Sequence, residues 1–149
     1  DDLDVFGTKF FPKLPAGSTS THWHQDNYYF GLVTEEIISC AIQVDASDRS
    51  NGCLRVIPGS HKQGRILPHK TDPKTPGSQI LLDEAGAIDV ACPEGTVVLF
   101  SANLVHGAWD NDHPTRTRYS TAWHYLPKRL SLNRFEQAGA HDRFAVRRA

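Results

Sequence analysis

The sequence predicts a protein of the all-β class, with mainly β-strands, built as a double-sheet jelly roll or barrel. Short apolar segments recur along its 149 residues, several alternate apolar with polar residues, and Gly, Pro, Asn or Asp turns separate them. Eight or so short strands at this spacing are typical of two packed sheets. The length suits a single domain over residues 1–149, with a core at about residues 5–127 and a C-terminal tail at residues 128–149.

Each predicted strand ends at a turn signal. Residues 96–100 (TVVLF) are the strongest candidate, and they follow the tight turn formed by residues 93–95 (PEG). Residues 37–45 (IISCAIQVD) are almost continuously apolar, which is typical of a strand buried on both faces. The other predicted strands are residues 5–14, 22–32, 53–57, 79–83, 88–92, 104–109 and 118–126.

Two segments are predicted to differ from these strands. Residues 60–77 contain three prolines and are expected to form an ordered loop over the core, of a length that is often functional. The tail from residue 127 onward has weak helical character and no clear partner.

The composition argues against several classes of protein. The formal net charge is -1 with both signs spread along the chain, which is not typical of proteins that bind nucleic acid or membrane surfaces. The longest apolar run, residues 97–100, is too short to span a membrane, and the opening DDLD is not a secretory signal. Cys40, Cys53 and Cys92 are odd in number and form no CxxC, so we expect reduced core thiols in an intracellular, cytoplasmic protein.

The segment HWHQDNY contains the first candidate metal ligands. His24 and Asp26 alternate, so in a strand they would share one face. With His106 they would form the triad of two histidines and one carboxylate found in non-haem Fe(II) oxygenases, which leaves open positions for a cosubstrate and O2. Gly107 would permit a neighbouring strand to approach closely. His22 competes in this interpretation, because His22 and His24 form an HxH pair of the kind that cupin metal sites use.

A metal site that uses a 2-oxo acid also needs a cation for the far carboxylate of that acid, and the planar fork of arginine suits this role. Arg116 and Arg118 are both candidates: Arg118 opens the alternating run RYSTAWHYL, and Arg116, nearer the Pro114 loop and expected to be solvated, is the lesser one. His124 is expected to be a hydrogen-bonded core histidine rather than a fourth ligand. The loop histidines expected to be solvated or hydrogen-bonded are His61, His69, His113 and His141.

Four motifs follow one another along the chain: THWHQD, NGCLRVIPGSHKQG, FSANLVHG and RYSTAWHYLP. Their order, over about residues 13–127, resembles the phytanoyl-CoA dioxygenase family of Fe(II)/2-oxoglutarate-dependent oxygenases. WHQD and NGCLRVIPGSHK are the most specific, and the second contains no candidate ligand, so it is independent support. The resemblance implies a cupin-like double-stranded β-helix with iron bound by His24, Asp26 and His106, and 2-oxoglutarate held by Arg118.

The resemblance also implies an activity, namely O2-dependent hydroxylation of a small organic molecule with release of succinate and CO2. Asp26 favours hydroxylation, because related halogenases lack this carboxylate. Two alternatives stay open: a cupin-like metalloenzyme that does not use 2-oxoglutarate, and a non-catalytic member of the family. Three features depart from the family: a short region before the core where relatives carry helices, Ala108 in place of a hydroxyl residue, and a slightly long spacing from His106 to Arg118.

Overall fold

β-Strands make up most of the protein in the computed structural model, which describes residues 2–17, 21–71, 77–132 and 143–147. In chain order the described elements are β1 (Leu3–Lys13), β2 (Thr21–His24), α1 (Asp26–Phe30), β3 (Ile38–Gln43), a 3-10 turn (Arg49–Asn51), β4 (Leu54–Val56), a second 3-10 turn (Ser60–Gln63), β5 (Lys70–Thr71), β6 (Ser78–Gln79), β7 (Ile88–Val90), β8 (Val97–Ser101), β9 (His106–Ala108), β10 (Arg118–Pro127) and β11 (Arg143–Arg147).

Two antiparallel sheets contain nine of these strands, and this arrangement confirms the predicted jelly roll. The larger sheet has the order β11-β1-β10-β3-β8 and the smaller one β2-β9-β4-β7, while β5 and β6 form a separate ribbon. From β1 to β4, and again from β8 to β10, successive strands alternate between the two sheets. This alternation brings β2 beside β9 although they are far apart in sequence.

The core consists of two apolar clusters with polar side chains between the sheets. One cluster contains Phe6, Phe30, Ile37, Ala102, Leu126 and Leu132. The other contains Trp23, Ile80 and Val105. Buried polar residues of the two sheets include Lys13, Ser39, Gln43, His106, Arg118, Ser120 and His124. Because burying polar groups without partners is costly, so many of them in one place indicate a functional site.

The strand predicted at residues 22–32 ends at His24, and the rest of that prediction was wrong. A short helix, α1, begins at Asp26, whose carboxylate lies in the first turn, where the helix dipole favours negative charge. Gly31 ends the helix in the left-handed conformation, with φ 73°. Five residues are too few to show a helical period in the sequence, so their aromatic residues resembled a strand.

The C-terminal tail was predicted to have weak helical character and no partner, and this was wrong for residues 143–147. These residues form β11, which pairs antiparallel with β1. Arg143 Nε also donates a hydrogen bond to Asp4 Oδ2 at 2.7 Å. The pairing satisfies the backbone groups that β1 would otherwise expose at the edge of the sheet.

The segment predicted as a loop, residues 60–77, contains two short elements among its described residues. The turn Ser60–Gln63 begins it and β5 lies near its middle, while residues 72–76 lie outside the described residues. The strand predicted at residues 79–83 was wrong for residues 80–83, because β6 covers only Ser78–Gln79.

The expectations for the cysteines are met in part. All three are free thiols, and Cys40 and Cys53 are buried as predicted, but Cys92 is only half-buried. Within the described ranges, none of the helices has the length and apolar character needed to cross a membrane.

Candidate active site

The structure brings the three predicted ligand residues together. His24 ends β2 and His106 begins β9, where they are partners across the strand pair with ring centroids 4.2 Å apart. Asp26 Oδ1 lies 3.5 Å from His24 Nε2 and 3.8 Å from His106 Nε2. One ligand atom of each residue lies within 4.8 Å of the others. Asp26 reaches this position from the first turn of α1, so the prediction that it shares a strand face with His24 was wrong.

Backbone carbonyls fix the tautomers of both histidines. His24 Nδ1 lies 2.8 Å from the carbonyl oxygen of His22, and His106 Nδ1 lies 2.9 Å from that of Leu104. A carbonyl oxygen only accepts, so each Nδ1 holds a hydrogen and donates it. Each Nε2 then has a free lone pair on the side that faces Asp26. Two imidazole nitrogens and one carboxylate oxygen are a donor set that suits iron and similar divalent metals.

The protonation states of the three residues also favour a cation. Burial, with the neighbouring His24, lowers the pKa of His106 to about 4. Burial alone would raise the pKa of Asp26, but its electrostatic interactions with the neighbouring His106 and His24 outweigh burial and hold this pKa well below its usual range. At neutral pH His106 is therefore uncharged and Asp26 is ionised, which is the state that metal binding requires.

The second oxygen of Asp26 is bound by the protein itself. Ser39 Oγ donates to Asp26 Oδ2 at 2.5 Å and lies 3.1 Å from His124 Nδ1. His124 is buried, and burial lowers its pKa. It lies 3.9 Å from Asp26 Oδ2 and is not part of the candidate ligand group in the described residues, as expected for a hydrogen-bonded core histidine.

A cavity of about 490 Å³ joins this cluster to the predicted anchor for the cosubstrate, Arg118. Arg118 is 4% exposed, and its guanidinium donates to the Gly52 carbonyl oxygen at 2.7 Å and to the Ser120 hydroxyl. Its Nε makes no hydrogen bond to any described residue. Because the guanidinium has five N–H donors, it can still bind a carboxylate.

Lys13 adds a second buried cation at the Arg118 end of the cavity. It lies opposite Arg118 in the β1–β10 pair and donates from Nζ to the Trp109 carbonyl oxygen at 2.6 Å. Burial, together with the nearby charge of Arg118, lowers the pKa of Lys13 to about 8. Gln43 also lines this cavity, and its buried Oε1 has no hydrogen-bond partner within the described segments. Two buried cations at one end of the cavity favour an anionic ligand there.

The other predicted candidates lie around this site rather than in it. Arg116 is exposed and pairs with Asp48, Nη2 to Oδ2 at 2.6 Å. His22 borders the cavity and fixes the tautomer of His24 through its carbonyl. His69 stacks on Tyr28 and accepts from the Gln25 N–H, while His113 accepts from the N–H groups of Thr115 and Arg116. His61 is half-buried, and His141 lies outside the described residues.

Gln25, which the sequence interpretation did not single out, connects the ligand segment to its surroundings. It is 1% exposed, and its Nε2 donates to the carbonyl oxygens of Asn103 and Arg65 at 2.8 and 3.2 Å. Its Oε1 accepts from the Leu67 N–H at 2.7 Å. The residue between the two ligands of WHQD therefore holds the 64–71 loop and the turn that leads to β9.

The motif NGCLRVIPGSHK supports both ends of the site, although it provides no ligand. The Gly52 carbonyl oxygen accepts from Arg118, as described above. The Ser60 hydroxyl accepts from the N–H of Val105 at 2.8 Å, directly before His106. The motif was a visible signal in the sequence, but the partners that give it this role come from other strands.

We expect Gly107→Ala to weaken both metal binding and folding. A Cβ at this position would lie 2.7 Å from the Thr21 carbonyl oxygen, which is backbone, so β9 would have to move away from β2. That movement separates His106 from His24. Overpacking of this kind costs about 1–3 kcal/mol. Thermal unfolding and an anaerobic Co(II) titration measure the two effects, and unchanged values for both would show that the strands do not control the ligand spacing.

The chain is similar in sequence to a known protein family and to characterised proteins. The sequence model of the phytanoyl-CoA dioxygenase (PhyH) family matches residues 3–118. The chain is 34% identical over 110 residues to "Phytanoyl-CoA dioxygenase, peroxisomal" of Homo sapiens, which covers 67% of this chain and 32% of that protein. It is 24% identical over 127 residues to a probable alpha-ketoglutarate-dependent hypophosphite dioxygenase of Stutzerimonas stutzeri, covering 80% of this chain and 44% of that one.

Solved structures give the same result for the fold. The structure of the non-heme monooxygenase ThoJ in its apo form matches with a TM-score of 0.74 at 29% identity, covering 88% of this chain and 49% of that chain. The chain thus spans a third to a half of the length of these relatives.

Proposed function

Since the chain belongs to the phytanoyl-CoA dioxygenase family, we propose that it acts as an Fe(II)- and 2-oxoglutarate-dependent dioxygenase that hydroxylates a small organic molecule. One observation carries the proposal. A single cavity is lined both by a cluster of two histidines and one carboxylate and by a buried arginine that has an unused N–H donor. The cluster suits a divalent metal, and the arginine suits the far carboxylate of a dicarboxylic acid.

His24, Asp26 and His106 would hold the iron through Nε2, Oδ1 and Nε2. When bound, the iron supplies the chemistry that couples substrate oxidation by O2 to the conversion of 2-oxoglutarate into succinate and CO2. The protein contributes orientation, since the carbonyls of His22 and Leu104 hold both imidazoles in the tautomer that presents Nε2. A metal held by these three residues would keep open positions for the cosubstrate and O2.

Arg118 would orient 2-oxoglutarate from the other end of the cavity. Its guanidinium is already fixed by Gly52 and Ser120, so little side-chain freedom is lost when a carboxylate binds. The buried amine of Lys13 adds positive charge near the same position. Because the surroundings are buried, these charges act with little screening by water.

The substrate is proposed to be a small molecule. The two relatives named above are, by their names, dioxygenases of an acyl-CoA and of hypophosphite, and a cavity of about 490 Å³ is in the usual size range for small-molecule sites. We further propose that residues 1–149 form one domain, because β11 joins the tail to β1. The three free thiols support an intracellular location.

An anaerobic titration with Fe(II) and then 2-oxoglutarate, followed by visible absorption, tests this function. We expect a weak metal-to-ligand charge-transfer band in the green region that requires both additions, because only a chelating oxo acid on Fe(II) gives it. Succinate in place of 2-oxoglutarate is the matched control and should give no band.

The other outcomes distinguish the two alternatives. Iron binding without a band would favour a cupin-like metalloenzyme that does not use 2-oxoglutarate. The absence of both iron binding and a band would favour a non-catalytic member of the family.

A further inference from the structure

Ser39 connects the carboxylate of Asp26 to the ring of His124. It lies on β3, is 1% exposed, and places Oγ 2.5 Å from Asp26 Oδ2 and 3.1 Å from His124 Nδ1. A hydroxyl has one hydrogen to donate, and an ionised carboxylate only accepts. The Ser39 hydrogen is therefore donated to Asp26, and His124 Nδ1 donates to Ser39. The direction of donation is thus fixed along all three groups.

The ring of His124 is held in place by apolar neighbours. Its centroid lies 5.3 Å from that of Phe6 and 4.8 Å from that of Phe30. On a third side, the ring lies so close to Gly7 that a Cβ at this glycine would be only 3.1 Å from His124 Cδ2. With so little room to rotate, His124 keeps Nδ1 directed at Ser39.

The two oxygens of Asp26 therefore have different surroundings. Oδ1 faces the Nε2 atoms of His24 and His106 at 3.5 and 3.8 Å. Oδ2 accepts the short hydrogen bond from Ser39. A carboxylate held this way presents one oxygen to a metal, while the other is occupied by the hydroxyl.

We propose that Ser39, held by His124, is a positioning residue that keeps Asp26 a one-oxygen ligand. The inference rests on the proposed function. A six-coordinate metal with three protein atoms has three positions left, two for a chelating oxo acid and one for O2. If Asp26 bound through both oxygens, only two would remain, so cosubstrate and O2 would compete.

Three variants test this role. Ser39→Ala removes the hydroxyl, Ser39→Thr keeps it, and His124→Phe removes the Nδ1 donor but keeps a planar ring. Each protein is titrated anaerobically with Co(II), whose visible spectrum reports coordination, and then with 2-oxoglutarate. For Ser39→Ala we expect about 10-fold weaker Co(II) binding, as for other partners of metal ligands.

We also expect Ser39→Ala to lose at least about 10-fold in 2-oxoglutarate affinity at the loaded metal, with an altered Co(II) spectrum, because Asp26 is then free to bind through both oxygens. Ser39→Thr should resemble the wild type, and His124→Phe should lie between the two. If Ser39→Ala acted only through lost packing, the hydroxyl of Ser39→Thr would not bring back the wild-type Co(II) spectrum.

Ser47→Ala is the matched control. Ser47 is a buried serine whose hydroxyl contacts Cys92 Sγ at 3.5 Å, and it does not line the cavity. It should bind Co(II) and 2-oxoglutarate like the wild type. Wild-type values for Ser39→Ala would overturn the inference, and if that variant does not fold, wild-type values for His124→Phe would overturn it. A wild-type protein that binds neither Co(II) nor Fe(II) would instead contradict the proposed function.

Discussion

Arg118→Ala is expected to weaken 2-oxoglutarate binding by roughly 100-fold, or about 3 kcal/mol, and to leave metal binding nearly intact. The variant removes the buried guanidinium that would face the far carboxylate, but it does not touch the three candidate metal ligands. The measurement is the 2-oxoglutarate concentration needed for the charge-transfer band at saturating Fe(II). Thermal unfolding of the same variant measures how much stability is lost when the Gly52 carbonyl oxygen no longer accepts a hydrogen bond from Arg118.

Two further variants separate charge from geometry and position. Arg118→Lys keeps the positive charge but not the planar fork, so its affinity should lie between those of alanine and wild type. Arg116→Ala should have no effect, since Arg116 is exposed and pairs with Asp48. If Arg118→Ala bound 2-oxoglutarate like the wild type while Arg116→Ala did not, Arg116 would become the anchor.

Asp26→Ala is expected to abolish 2-oxoglutarate-dependent succinate formation. Asp26 is the carboxylate of the candidate ligand group, so its removal leaves two imidazoles and no ligand charge to balance the metal. Metal affinity should fall by more than the roughly 10–100-fold typical when a residue that hydrogen-bonds to a metal ligand is removed. Succinate formed from 2-oxoglutarate in air, with added Fe(II), measures activity without a known substrate, and calorimetry with Co(II) measures binding.

Asp112→Ala, which removes an exposed carboxylate, is the control and should behave like the wild type. His22→Ala distinguishes the two ligand sets, because the HxH alternative requires His22. Metal binding that is lost in His22→Ala but kept in Asp26→Ala would show that the HxH pair holds the metal.

The fold could be predicted because strand periodicity is local information. In β10, Arg118, Ser120, His124 and Leu126 are the buried residues, and all share the parity that the run RYSTAWHYLP displays. The short elements could not be predicted in the same way. α1 has only five residues, and β11 forms because it pairs with the edge of β1, which no local sequence pattern reveals.

The candidate site could be predicted in its ligands but not in its supports. His24, Asp26, His106 and Arg118 have residue types whose chemistry is recognisable. Ser39 lies within an apolar run, where a lone serine carries no signal, and its partner His124 is 85 residues away. Partners of this kind become neighbours only through sheet pairing, which a single sequence does not specify.

The hydrogen bonds between Gln25 and the 64–71 loop also determine how often that loop is detached. Three hydrogen bonds join Gln25 to this loop, through Arg65, Leu67 and His69. At about 1 kcal/mol each, their loss costs roughly 3 kcal/mol, so the detached form is under about 1% of molecules. Because Gln25 lies between two candidate ligands, we expect the ligand segment to be less firmly held in the same minor population. Loop opening and metal release would then occur in the same rarely populated conformation of the protein.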